Sequence, residues 1–404
     1  MNLSFDNTKV AFEYKTTKDL KSAKTLFSTM KYPLLTNMGT RFTPFLMKTG
    51  LPINGLIRKT IFKQFVGGET LEATAPVAEM LNSYNVGVIL DYGVEGKESE
   101  ENFDLAMQEF IRVIKFASTQ KNIPVIAIKV SGIARFELLK KLNEAPRLRS
   151  GVHENEEQLA EWSRVRDRMI AICEAAKEYG IGVLVDAEES WVQDPIDRLT
   201  MEMMEIYNKE QALVYNTIQL YRHDRLDFLR LSHDIATREG FLLGVKLVRG
   251  AYMEKERARA AAEGYPSPIQ KDKDSTDLDY NNAVRYCIDN IATISFVVAT
   301  HNEASSLFTA ELLEQKGISH HDGHVHFSQL YGMSDNITFN LAKEGYSVSK
   351  YVPFGPIRDV IPYLMRRAQE NSSVKGQTGR ELSLIQQELE RRKQVQHDSA
   401  NTQA

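Results

Sequence analysis

Two adjacent arginines stand in Tyr363-Leu-Met-Arg366-Arg367-Ala-Gln-Glu370-Asn371. Each guanidinium offers a planar fork of donors matching the two oxygens of a carboxylate, so the pair is a ready anion clamp. Upstream, Tyr351-Val-Pro-Phe-Gly-Pro reads as a strand end broken by Gly355 and Pro356. Asp359 suits an N-cap, and Pro362 is tolerable in a first turn whose amides lack internal partners. The pattern predicts a helix to about Asn371, with Ile361, Leu364, Met365 and Ala368 on one face. Tyr363, Arg366, Arg367 and Glu370 fall on the other. Spacing alone allows that second face to be solvated, with Arg366 pairing to Glu370 one turn away.

A second candidate is Lys246-Leu-Val-Arg249-Gly250-Ala251-Tyr252. It starts on a β run and leaves through a Gly-Ala step, which lets a flat ligand approach the backbone closely. Alternation puts Lys246, Val248 and Gly250 on one side and Arg249 on the other. A third is the group His320, His321, His324 and His326. His324 and His326 share a face if extended, a geometry that can bind zinc or iron, so a metal-dependent barrel hydrolase is a reading of another class. Against it, no His-x-His pair ends the first β run, and these histidines precede the seventh. No Gly-x-Gly-x-x-Gly follows a β run, which disfavours a nicotinamide enzyme.

The elements that must position these groups alternate. From residue 85, short β-branched runs are separated by longer helical patterns, the signal for βαβ units and a parallel sheet. The runs are Val86 to Leu90, Val125 to Ile128, Ile181 to Val185, Thr217 to Leu220, Leu242 to Val248, Ile294 to Ala299, Val325 to Phe327 and Ser347 to Val352. Eight units in series predict an α/β fold, a (β/α)8 TIM barrel with the last helix over its mouth. Asp91, Lys129, Asp186, Gln219, Lys246, Thr300 with His301, Gln329 and Tyr351 sit at or beside successive run ends. Barrel enzymes place their chemistry at that end of the strands.

Residues 1–84 read as an N-terminal helical arm containing Leu20 to Met30, Phe42 to Met47 and Leu56 to Phe65; 85–375 as the barrel; and 376–404 as a polar tail. In the tail Leu382, Ile385 and Leu389 allow one helix, with a disordered end expected beyond His397. The stretch Leu56 to Phe65 interleaves Arg58, Lys59 and Lys63 with apolar residues, which suits packing on the host domain or peripheral contact with an anionic membrane. The 404 residues can bury a large core, and a net charge of -4 without a long basic run gives no support to nucleic-acid binding. Cys173 and Cys287 lie in apolar segments, so a reducing compartment without disulfides is expected. Neither a secretion signal, nor a transit peptide, nor a membrane-spanning run is expected. The expected location is cytoplasmic or peripheral at the inner face of a membrane, and mitochondrial if the source is eukaryotic.

Taken together, these segments resemble the flavin-dependent proline dehydrogenases. The Tyr-Leu-x-Arg-Arg-x-x-Glu-Asn pattern at 363–371 resembles the family's last barrel helix, and Lys246 to Tyr252 its fifth-strand motif. Leu90-Asp91-Tyr92-Gly93-Val94-Glu95, Ile128-Lys129-Val130-Ser131 and Val185-Asp186-Ala187-Glu188-Glu189 match the first three strands. Ile218-Gln219-Leu220-Tyr221, Ala299-Thr300-His301-Asn302 and Leu330-Tyr331-Gly332-Met333 match the fourth, sixth and seventh. Many bacterial members carry Arg at the Lys246 position and Lys at the Arg249 position, so this chain has the swapped form.

The resemblance covers roughly residues 60 to 375 and implies FAD-dependent oxidation of L-proline to Δ1-pyrroline-5-carboxylate. It implies electrons passed to a membrane quinone and product oxidation by a separate NAD-dependent pyrroline-5-carboxylate dehydrogenase. Arg366, Arg367 and Lys129 would hold the carboxylate; Tyr351, Tyr363 and Leu330 would wall the ring, supported by Tyr252. Asp186 and Lys246 would be the catalytic groups. The cofactor would meet Ala187, Gln219, Lys246, Val248, Arg249, Gly250, Ala251, Thr300, His301, Asn302 and Glu370. Hydroxyproline dehydrogenase is the same-class alternative, and Tyr351 the feature that discriminates.

Overall fold

The computed structural model describes residues 3–30, 54–93, 98–144, 156–373 and 377–402. Eight parallel strands close into a barrel in sequence order. They are β1 (Gly87–Tyr92), β2 (Val125–Ile128), β3 (Gly182–Val185), β4 (Val214–Gln219), β5 (Leu243–Val248), β6 (Ile294–Ala299), β7 (Val325–Leu330) and β8 (Val348–Phe354). The closing pair runs Gly87↔Ser349 to Tyr92↔Phe354. Every expected run is a strand, with ends moved by a few residues.

Strand alternation splits the side chains between two packed layers. Ile89, Ala127, Leu184, Val297 and Tyr351 cluster inside the barrel. Val88, Leu90, Ile126, Val183, Val245, Phe296 and Phe327 belong to the larger core outside it, under the helices. Both faces are therefore dry, which is why the strands read as continuous apolar runs rather than alternating ones. A two-residue step from Ile89, Ala127 and Leu184 reaches Asp91, Lys129 and Asp186 at the C-terminal mouth.

The helices are α1 (Thr8–Phe12), α2 (Thr17–Met30), α3 (Asn54–Ile57), α4 (Lys63–Phe65), α5 (Ala75–Asn82), α6 (Glu100–Ser118), α7 (Phe136–Glu144) and α8 (Glu156–Tyr179). Then come α9 (Ser190–Tyr207), α10 (Arg225–Glu239), α11 (Met253–Glu263), α12 (Lys273–Asp289), α13 (Glu303–Gln315), α14 (Asp335–Lys343), α15 (Ile357–Ser373) and α16 (Gln377–Thr402). The expected helix at Phe42 to Met47 lies outside the described residues. Between α3 and α4 the chain makes a π-helical turn, Arg58–Phe62.

Arm and tail share a second core with α15. Phe12, Leu20, Phe27, Phe62 and Phe65 pack there with Val360, Leu364, Leu384, Ile385 and Leu389. Phe27 meets Phe65 edge to face with ring centroids 6.1 Å apart. Ile57 and Ile61 pack against the same cluster, so the apolar side of the basic run is used inside the protein rather than offered to a membrane. Arg58 and Lys63 pair with Glu69 and Asp19 at 2.6 and 2.9 Å. In the tail, Glu388 is fully buried and binds Arg391 and Arg392, while Arg392 donates to the carbonyls of Phe12 and Lys15. α16 continues to Thr402, past His397 where a disordered end is expected. Among the described residues no helix is long and apolar enough to cross a membrane. Cys173 and Cys287 are buried and free.

Candidate active site

Three strands bring one carboxylate between a cation and a phenol. Asp186, just past β3, accepts from Lys246 on β5, and its second oxygen accepts from the Tyr351 hydroxyl on β8 at 2.6 Å. The Lys246 ammonium lies 5.3 Å from the Tyr351 ring centroid. Burial would raise the Asp186 carboxyl, but the charges of Lys246 and Lys129 and the two hydrogen bonds outweigh it and hold it below the usual carboxylate range. Burial and Asp186 push the Tyr351 phenol well above its ordinary value, so that phenol stays protonated and donates.

Lys129, after β2, faces the same space. Tyr252, after β5, is pushed up by burial, and Lys129 and Arg366 are the cations that oppose this most. Glu188 caps the turn that follows Lys129: its Oε1 accepts from the Ser131 amide at 3.0 Å. Its own carbonyl accepts from Gln219 Nε2 at 3.2 Å. With that donor committed, Gln219 Oε1 is buried and has no hydrogen-bond partner among the described residues. A buried carbonyl oxygen left this way suits a ligand that presents an N–H or O–H.

α15 covers the mouth. It starts at Ile357, so Asp359 sits in its first turn rather than at the N-cap and Pro362 falls inside it. Both faces of the helix are covered. Ile361, Tyr363 and Leu364 are buried in the second core, Arg367 is 8% exposed and Arg366 is half-buried, so the arginine side of the helix is not fully solvated. Arg367 stacks 5.1 Å from the Tyr363 ring. Leu330, at the end of β7, packs against both the barrel interior and the second core. Glu370 lies on the same helix, its side chain outside the described residues, as are Val94 and Glu95 of the first-strand motif.

Several expected site residues point away from the barrel interior. Arg249 donates to Asp277 at 2.7 Å, Thr300 at 2.7 Å and Ser305 at 2.9 Å, and stacks on Tyr280. Asn302 uses its side chain to cap α13 through the Ser305 amide. Gln329 donates to the Thr300 carbonyl and accepts from Thr338 outside the barrel. These groups build the wall beside the mouth. The space that Gly250 frees at φ 137° is taken on its Cβ side by the Tyr221 ring, 2.4 Å from where a Cβ would stand. A ligand approaching this segment would meet Val248 and the exposed Ala251, with Ala187 near the end of β3. His301 sits just past β6, with its Nδ1 2.9 Å from Ser334 Oγ. Burial, reinforced by Lys350, Arg367 and Arg249, holds it neutral with a pKa of about 3.

The histidine group sits at the other end of the barrel. His324 bonds Ser295 and His326 bonds Ser349, each at 2.7 Å, while His320 stacks on Tyr346. A cavity of about 530 Å³ opens there, lined by His321, His326, Lys121 and Lys343 among others. It lies on the N-terminal face, away from the converging cations. Among the described residues no group of His, Cys, Asp or Glu could hold a metal ion.

Glu188 and Ser334 are the residues that sequence reasoning missed. Burial pushes the Glu188 carboxyl up to about 7. Its place beside Asp186 and Ala187 was visible, but nothing in the sequence shows that it reaches back to Ser131.

The model of the family described as proline dehydrogenase matches residues 75–380. The chain belongs to the proline dehydrogenase family. It is thereby an enzyme of proline oxidation, a proline dehydrogenase by class. It is 35% identical over 331 residues to the carbapenem antibiotics biosynthesis protein CarD of Pectobacterium carotovorum subsp. carotovorum, covering 81% of this chain and 83% of that one. It is 42% identical over 240 residues to human mitochondrial proline dehydrogenase 1, covering 59% of this chain and 40% of the human one. Among solved structures, proline utilization A from Bdellovibrio bacteriovorus, inactivated by N-propargylglycine, superposes with a TM-score of 0.74 at 19% identity. That match covers 93% of this chain and 42% of the other, and it supports the fold.

Proposed function

We propose that the chain oxidises L-proline to Δ1-pyrroline-5-carboxylate with bound FAD, which takes the hydride from the ring carbon next to nitrogen. The observation that carries this reading is the Asp186–Lys246–Tyr351 group at the barrel mouth, with Arg367 stacked on Tyr363 and the charges of Lys129 and Arg366 felt at Tyr252. Cations interleaved with aromatic rings suit a small cyclic amino acid that carries a carboxylate.

Arg366, Arg367 and Lys129 would bind the carboxylate. Tyr351, Tyr363 and Leu330 would wall the ring and exclude water and bulkier rings, with Tyr252 supporting them. Lys246, paired with Asp186, would place positive charge where electron density accumulates. The unpaired Gln219 Oε1 fits an N–H on a flavin ring, so the residues present are compatible with FAD. Gln219, Lys246, Val248, His301 and the backbone of Ala187, Gly250 and Ala251 would hold it. Arg249, Thr300 and Asn302 would act from the wall behind, and Glu370 from α15. Electrons would pass to a quinone, and a separate NAD-dependent dehydrogenase would consume the product.

The test is the visible spectrum of the purified protein before and after anaerobic addition of proline. A yellow protein that bleaches supports the reading; a colourless one carrying stoichiometric zinc overturns it.

A further inference from the structure

We propose that Glu381, on the C-terminal helix α16, is a positioning residue for His301 and acts through Ser334. The inference rests on the reading of His301 as a neighbour of the cofactor. Its geometry is independent of that reading.

The loop from β7 to α14 is where barrel, arm and tail meet. Gly332, at φ 80°, has the Gln64 carbonyl oxygen 1.9 Å from where a Cβ would stand, so no side chain fits there. Gln64 Nε2 in turn donates to the Gly332 carbonyl at 2.6 Å. Two residues on, Ser334 adopts a left-handed conformation, φ 51° and ψ 43°, at the start of α14. That conformation is costly for a non-glycine residue and persists where the surroundings over-determine it. The surroundings here are Glu381, which accepts the Ser334 amide, and His301, whose Nδ1 meets the Ser334 hydroxyl. Ser334 and Glu381 are both buried.

The next residue, Asp335, ties the junction to the arm and to β8. It binds Lys15 and Tyr14 at 2.8 Å and lies 2.9 Å from the Lys350 ammonium. The tail therefore inserts a carboxylate into the wall of the barrel mouth, one residue removed from His301. A hydroxyl can donate to Nδ1 or accept from it, so an ordered Ser334 hydroxyl fixes the ring orientation and couples the His301 tautomer to its own orientation. Without the Glu381 acceptor, the Ser334 amide is a buried donor with no partner, and the loop has reason to leave the left-handed conformation.

The experiment uses full-length protein labelled with 15N at histidine, with long-range 1H–15N spectra reporting ring tautomers and His301→Asn assigning the His301 signals. FAD affinity, by quenching of flavin fluorescence, is the second readout. Glu381→Ala is expected to move the His301 ring signals and weaken FAD binding roughly tenfold, the worth of one buried hydrogen bond. Glu381→Gln, which keeps an acceptor, is expected to restore both. Ser334→Ala should move the same signals with the tail still docked. Arg391→Ala, which removes a cation from buried Glu388 within the tail helix, should lower Tm and leave His301 unmoved.

Unmoved His301 signals in a folded Glu381→Ala protein would overturn the proposal. So would a Glu381→Gln variant as perturbed as the alanine, or an Arg391→Ala variant that shifts His301 equally. If the wild-type chain binds no FAD, the cofactor reading fails while the spectra still decide the role of Glu381.

Discussion

The Tyr351 hydroxyl donates to Asp186 Oδ2 at 2.6 Å, while the Lys246 ammonium engages Oδ1 of the same carboxylate. One anion thus fixes a wall of the pocket and neutralises the cation beside it, joining β3, β5 and β8.

Asp186→Asn leaves the buried Lys246 charge without its partner. Breaking such a pair from one side is expected to cost about 3–5 kcal/mol of folding stability. The Asp186 carboxyl titrates below its ordinary value, so its contribution is complete above that value and fades only as pH falls through the lower, folded one. Urea unfolding at pH 5 and pH 8 should therefore show the same deficit, and a deficit confined to the higher pH would contradict the assignment.

Arg367→Ala and Arg366→Ala remove charge-assisted hydrogen bonds to the substrate carboxylate. KM for proline should rise by roughly two orders of magnitude in each, with flavin content unchanged. Wild-type KM in both would return these arginines to a purely structural role.

Tyr351→Ser opens space on the wall of the pocket. The ratio of kcat/KM for 4-hydroxyproline over proline should rise about ten- to two-hundredfold, chiefly through loss of proline activity. A constant ratio in a folded, flavin-loaded variant would show that Tyr351 does not line the ring pocket.

Glu188→Gln addresses a carboxyl that burial pushes up to about 7. The folded state keeps this proton where the unfolded chain has lost it, so the wild type loses stability as pH rises from about 4.5 to about 7, and the penalty is constant above. The glutamine variant should match the wild type near pH 4 and gain up to about 3 kcal/mol at pH 8, measured by denaturant unfolding. A parallel pair of stability curves would show that Glu188 is ionised in the folded protein.

The barrel was legible because each β run is short, β-branched and bounded by helical periodicity. The inward group at its mouth was partly legible for the same reason. Gln329, Thr300 and Arg249 show the limit: alternation says that neighbours diverge, but when both faces of a strand are dry it does not say which face is interior. Hydrophobicity on the two sides of β6 and β7 is too similar to decide. The apolar spacing of Leu382, Ile385 and Leu389 announced a tail helix, yet its partners Phe12 and Leu20 lie at the other end of the chain. Nothing local encodes such a pairing, nor the Glu381–Ser334 contact that comes with it.

The second core imposes a schedule on synthesis. Phe12 and Phe27 leave the ribosome about 360 residues before Leu384, Ile385 and Leu389, which help to cover them. At about 5–20 residues per second the arm waits roughly 20 to 75 seconds with aromatic side chains exposed. A nascent chain in that interval is a natural client for a holdase that grips apolar helices. Stop codons shortly before Glu381 should yield a barrel whose arm never finds its cover, and such products are expected to be cleared by proteolysis.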